Sequence, residues 1–119
     1  MLKLQKSNSV VRPVKVRLPT ENPNSYNEGT INVRYKISTK DEAIARTERE
    51  LTDHEFYDEV VLEVEGLGDE NGVPITGDAA HKEVKSGPWS IYLLAAIIQE
   101  YVEQYGDARV KNSKTSRGR

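Results

Sequence analysis

No cysteine occurs in the 119 residues. Disulfides, thiolate metal sites and cysteine nucleophiles are therefore excluded, and the absence fits a reducing compartment. Histidine is almost absent as well. His54-Glu55 and His81-Lys82-Glu83 match no zinc motif, so both histidines read as surface residues. Asp69, Asn71 and Val73 begin like a calcium loop, but its later ligands and closing bidentate Glu are missing. There is no Gly-rich phosphate loop, no Gly-x-Ser-x-Gly elbow and no triad set. Carboxylates abound between 41 and 70, yet a crowd of exposed acids is a poor catalytic signal. No catalytic, cofactor-binding or metal-ligating residue emerges, and a non-enzymatic protein without cofactor is expected. Long apolar runs are missing too. The longest is too short for a bilayer and glutamates follow it. Met1-Leu-Lys-Leu-Gln-Lys6 has no apolar core of signal-peptide length, so neither secretion nor a membrane partner is expected.

What is present is charge, and it is segregated. Residues 1–40 carry eight Lys/Arg against two acids. Residues 41–70 carry twelve acids against two Arg. Residues 71–119 carry seven Lys/Arg against five acids, with most of the positive charge after Gly106. The net charge of −2 conceals this pattern of basic ends and acidic middle. The acidic middle reads either as a solvated helix face or as a patch attracting the basic ends of other copies or a partner.

The apolar residues concentrate in Ser86–Gly106. Trp89, Leu93, Leu94, Ile97, Ile98, Tyr101, Val102 and Tyr105 recur at three- and four-residue intervals, one broad face of a helix. Pro88 suits a first turn, with Ser86 or Gly87 capping ahead of it, and Gly106 suits the stop. At 1.5 Å per residue this rod spans roughly 27 Å, about the width of a small domain. The rest of the chain should pack on it, with at least one of Ile97 and Ile98 buried.

Upstream, Val14, Val16 and Leu18 alternate with Lys15 and Arg17, and Ile31, Val33, Tyr35 and Ile37 alternate with Asn32, Arg34 and Lys36. These are strand signals, and the two strands should pair antiparallel. Residues 1–9 read as loose, and Pro19–Gly29 as a long exposed loop. Thr39 with Glu42, or Ser38 with Asp41, has capping-box spacing and opens a helix to about Leu51. Residues 53–65 fit helical spacing at Phe56, Tyr57, Val60, Val61 and Val64, although the β-branched run at 60–64 also suits a strand. The helix is favoured. Asp69–Ile75 is a turn, and Asp78 caps a short helix through about Lys85. The expected fold is α+β: an N-terminal antiparallel hairpin, three to four helices, and the long C-terminal helix as the core. Residues 1–106 should form one domain, with 107–119 a basic, disordered tail. That tail reads as solubilising. Its five cations without interleaved aromatics make nucleic acid a low-specificity partner at most.

The order of several pieces is similar to that of the tail assembly chaperones of long-tailed bacteriophages. These are Val64-Glu-Gly66, the turn Asp69-Glu-Asn-Gly-Val-Pro-Ile75, the helix Ile97-Ile-Gln-Glu-Tyr-Val-Glu-Gln-Tyr105 and the closing Ala108-Arg-Val-Lys-Asn112. Leu18-Pro19 at a strand end and the Ser/Thr-Lys-Asp-Glu helix start fit the same order, so the likeness covers most of the chain. It departs where Val64-Glu65 stands in place of the aromatic often found before the Gly. The resemblance implies a non-structural, homo-oligomeric phage protein of the host cytoplasm. Such a protein binds the tape measure protein, keeps it soluble and helps recruit the major tail protein. On that reading Trp89, Tyr92, Tyr101, Tyr105, Arg109, Lys111 and Lys114 are the candidate partner-binding residues. In this family a frameshift near the gene's end often makes a longer product, and Lys111-Asn112 is a pair that a slippery heptamer would encode. The alternative from another class is a small nucleic-acid-associated regulator acting through the basic tail.

Overall fold

The computed structural model describes residues 1–105, and the expectations placed on 106–119, including the Gly106 stop, lie outside the described residues. The chain is α+β, with an N-terminal antiparallel hairpin followed by four helices. Strands β1 (Ser9–Pro19) and β2 (Tyr26–Lys36) pair in register from Ser9 opposite Lys36 to Pro19 opposite Tyr26. Both are longer than their apolar alternation. The ladder continues into residues with exposed side chains, so the connection shrinks to Thr20–Ser25. That loop is tied by its own polar groups: the Asn24 amide donates to Asn22 Oδ1 (2.9 Å) and the Asn22 amide to Thr20 Oγ1 (3.2 Å).

Helix α1 (Lys40–Thr47) opens with the capping box of Thr39 and Glu42. It stops four residues before the expected end, because a second box, Thr52 with Glu55, starts α2 (Asp53–Val60). The helix favoured through 65 is corrected here: Val61–Glu65 is strand β3, antiparallel to β2. The cause is a bulge. Val64 pairs with Val33 and Val61 with Tyr35, so Leu62 is an extra, exposed residue. The bulge puts the two buried valines three apart, the spacing of a helix face.

After β3, Gly66 turns the chain at φ +100°, a conformation that side chains with a Cβ rarely adopt. A short hairpin follows, β4 (Leu67–Gly68) and β5 (Pro74–Ile75), closed by Asp69 Oδ1 accepting from the amides of Asn71 (2.8 Å) and Val73 (2.9 Å). Helix α3 (Gly77–Ser86) has Thr76, not Asp78, at its N-cap position; Asp78 lies in its first turn. Helix α4 spans Ser90–Gln104. Ser86 therefore closes α3, Gly87 is its C-cap, and Pro88 lies in the connecting turn with Trp89 at the N-cap position of α4.

Helix α4 lies on one face of the β1–β2–β3 sheet. Leu93, Leu94, Ile97 and Tyr101 join Val14, Val16, Ile31, Val33, Tyr35 and Val64 in one core, to which α2 adds Tyr57 and Val60 and α3 adds Ala80 and Val84. Tyr35 Oη donates to the Ile97 carbonyl at 2.7 Å, and Arg12 on β1 pairs with Glu100 on α4 at 2.9 Å. The other sheet face carries Lys15, Arg17, Glu28, Arg34 and Glu63 and is open to solvent.

Candidate partner-binding cleft

Of the seven expected partner residues, the four that are described do not lie together. Trp89 and Tyr92 stand at the start of α4 with ring centroids 6.2 Å apart, 42% and 41% exposed, and Ile91 beside them is 77% exposed. Tyr101 and Tyr105 lie about three to four turns further on, roughly 14–24 Å along the axis. Tyr101 is a core residue, its ring 5.4 Å from Tyr35 and 5.6 Å from Phe56, and Tyr105 is half-buried against the same cluster. Arg109, Lys111 and Lys114 lie outside the described residues.

The buried end of α4 is organised by Arg46. Its side chain is 95% shielded, with Nη2 donating to Ser38 Oγ and Nε to Glu59 Oε1. Nη1 has no hydrogen-bond partner among the described residues. The guanidinium carbon lies 5.7 Å from the Phe56 ring centre and 6.0 Å from that of Tyr101, so aromatic faces take the place of an acceptor. Arg49 donates to the same Glu59, and that bond holds the carboxyl below its ordinary value. This is a structural tie between α1, α2 and α4.

His81 is also tied. Its Nε2 faces the Leu62 carbonyl at 3.2 Å, and a carbonyl only accepts, so Nε2 carries the proton. Nδ1 then accepts from Tyr57 Oη at 2.6 Å. Burial first, then the neighbouring Asp58, pushes the Tyr57 phenol up. The expected surface histidine is thus a clip between α2, α3 and β3. Among the described residues no group of three His, Cys, Asp or Glu is placed to hold a metal. None of their helices is long and apolar enough to cross a membrane.

The other end of α4 opens a cleft. The distal part of β1–β2, the small β4–β5 hairpin and the α3–α4 turn enclose about 710 Å³, lined by Leu18, Leu67, Ile75, Pro88, Trp89 and Leu93. Asp69, Glu70 and Glu83 line it too, and among the described residues no Lys or Arg does. A second hollow of about 210 Å³ adjoins it, between Val16, Leu18, Gly29, Gly66 and Leu93. Two glycines allow close packing here, Gly66 in the lining of the smaller hollow and Gly87 just before Pro88. A Cβ on Gly66 would sit 3.2 Å from Ile31 Cα, and one on Gly87 would lie 2.6 Å from the Glu83 carbonyl. Of the cleft's apolar residues only Trp89 was singled out in the sequence as a partner residue. Leu67 and Ile75 are isolated in turn-rich sequence, so no periodicity marks them. No protein-family model, curated protein or solved structure matches this chain.

Proposed function

We propose that the protein is a tail assembly chaperone that shields the tape measure protein and helps bring the major tail protein to it. The observation that supports this reading is the apolar, acid-rimmed cleft with Trp89 half-exposed on its wall and the Tyr92 ring packed beside it at the start of α4. A tape measure is a long helix-rich chain whose apolar stripes aggregate until a tube encloses them. An apolar helix stripe flanked by Lys or Arg fits this cleft in both chemistry and charge. Aromatic anchors half-exposed in the free protein are the residue type that carries most binding energy at such surfaces. The acidic rim repels a polyanion, so this surface does not favour the nucleic-acid alternative.

The test is co-expression with the neighbouring tape measure gene. The chaperone should keep the tape measure soluble and co-purify with it. Trp89→Ala with Tyr92→Ala should reduce the recovered client at least about tenfold, since each ring buries roughly 2 kcal/mol of contact. A tape measure that stays insoluble beside the folded wild-type protein would remove the proposal.

A further inference from the structure

The sheet has a notch. Strand β3 pairs with β2 only over Asn32–Tyr35, so among the described residues no strand pairs with the β2 edge from Tyr26 to Thr30 on that side. The chain leaves that line at Gly66, whose φ of +100° turns it into the separate β4–β5 hairpin. Below the open edge lies the smaller hollow, floored by Val16, Leu18 and Leu93. Backbone groups along such an edge accept an added strand, and the hollow accepts its alternate side chains.

The chain also carries a segment of that form. Leu2 and Leu4 are each 87% exposed and alternate with Lys3 and Gln5 ahead of β1. An extended Met1–Lys6 would set both leucines on one side and Lys3 on the other. On the outer sheet face Lys3 would meet Glu28 and Glu65, which flank the notch. A segment cannot fill its own notch. Gly29 lies opposite Val16, so the notch is about 23 Å along the sheet from Ser9 and two strand spacings, about 10 Å, across it. Leu4 lies five residues before Ser9 and reaches at most ~18 Å.

We infer that Met1–Lys6 of one copy adds as a strand to the β2 edge of a second copy, seating Leu2 and Leu4 in the notch between Gly29 and Gly66. Exchange of this kind would cover Leu18 and Leu93, which line both hollows, and leave Trp89 at the mouth of the larger cleft free. If that mouth holds the client as proposed above, linked copies would present a row of clefts to one long chain. The contact itself does not depend on that reading.

Light scattering on the full-length protein, over a concentration series at low salt, tests it. The wild type should exceed the mass of one copy. Leu2→Ser with Leu4→Ser should weaken self-association about tenfold or more, as expected for two leucines left in water. Both side chains are exposed in one copy, so thermal melting in dilute solution should not move. Gly29→Leu should have the same effect from the other side, because a Cβ there meets nothing within 4 Å and a larger side chain fills the hollow without disturbing the fold. A wild type of single-copy mass at every concentration would overturn the inference. So would an oligomer that survives either change, since that would place the arm elsewhere. Failure here would leave the client proposal standing, because that is read on Trp89 and Tyr92, which these variants keep.

Discussion

Individual side chains hold α4 to the sheet, and each can be tested alone. Ile97 has no exposed surface, whereas Ile98 is half-buried. Ile97→Ala should cost ~2–5 kcal/mol in denaturant unfolding and Ile98→Ala clearly less. Equal losses would mean that the helix is rotated from the orientation described. Tyr35→Phe removes one buried hydrogen bond to the Ile97 carbonyl and should cost about 1 kcal/mol with the fold unchanged. The acid limb of stability has named sources. Glu42 and Glu55 are held below their ordinary value first by the amides of Thr39 and Thr52, and Glu59 first by Arg49. Folding therefore favours the ionised carboxylates. That contribution is complete above the ordinary value of 4.5 and fades as pH falls through the lowered ones. Unfolding followed from pH 7 to 3 should lose stability below about pH 4.5, and Glu59→Gln should flatten part of that slope. A variant as acid-sensitive as the wild type would refute the assignment to Glu59.

At the scale of elements, legibility followed periodicity. The apolar stripe of α4 and the alternation in β1 and β2 were plain because each buries one regular face. The boxes Thr39–Glu42 and Thr52–Glu55 are local chemistry; the sequence names the first as a box and offers Thr52 or Asp53 as the cap of the next helix, without the partner Glu55 that completes the second box. β3 was misread because its bulge spaces Val61 and Val64 like a helix, and only its partner strand decides between the two. The cleft was least legible. Leu18, Leu67, Ile75 and Leu93 come from four elements, and only tertiary folding brings them together. Trp89 and Tyr92, expected as partner residues, expose their rings side by side at the start of α4, while Tyr101, expected with them, belongs to the core. The α3–α4 turn that presents the rings has its own test. A Cβ on Gly87 would press on the Glu83 carbonyl at 2.6 Å, backbone that cannot swing away. Gly87→Ala should therefore lower the melting temperature by several degrees, consistent with roughly 1–2 kcal/mol of strain. An unchanged melting point would show that the turn has room to relax.

Across the whole molecule, basic ends and an acidic middle combine with an apolar cleft that carries only negative charge on its rim. Surface charge contacts are screened beyond about 10 Å at 0.1 M salt, so self-association should weaken as salt rises from 20 to about 500 mM. The leucine contact proposed for the arm should persist in part, and complete insensitivity to salt would remove the electrostatic share of the account. Under the proposed function, the cleft at the start of α4 receives an apolar segment of the tape measure protein. Hydrogen exchange on the co-purified complex should then show added protection at residues 66–76 and 87–93, around the β4–β5 hairpin and the start of α4, with little change in α1. Protection confined to α1 and α2, or none at residues 87–93 while the client remains bound, would contradict it.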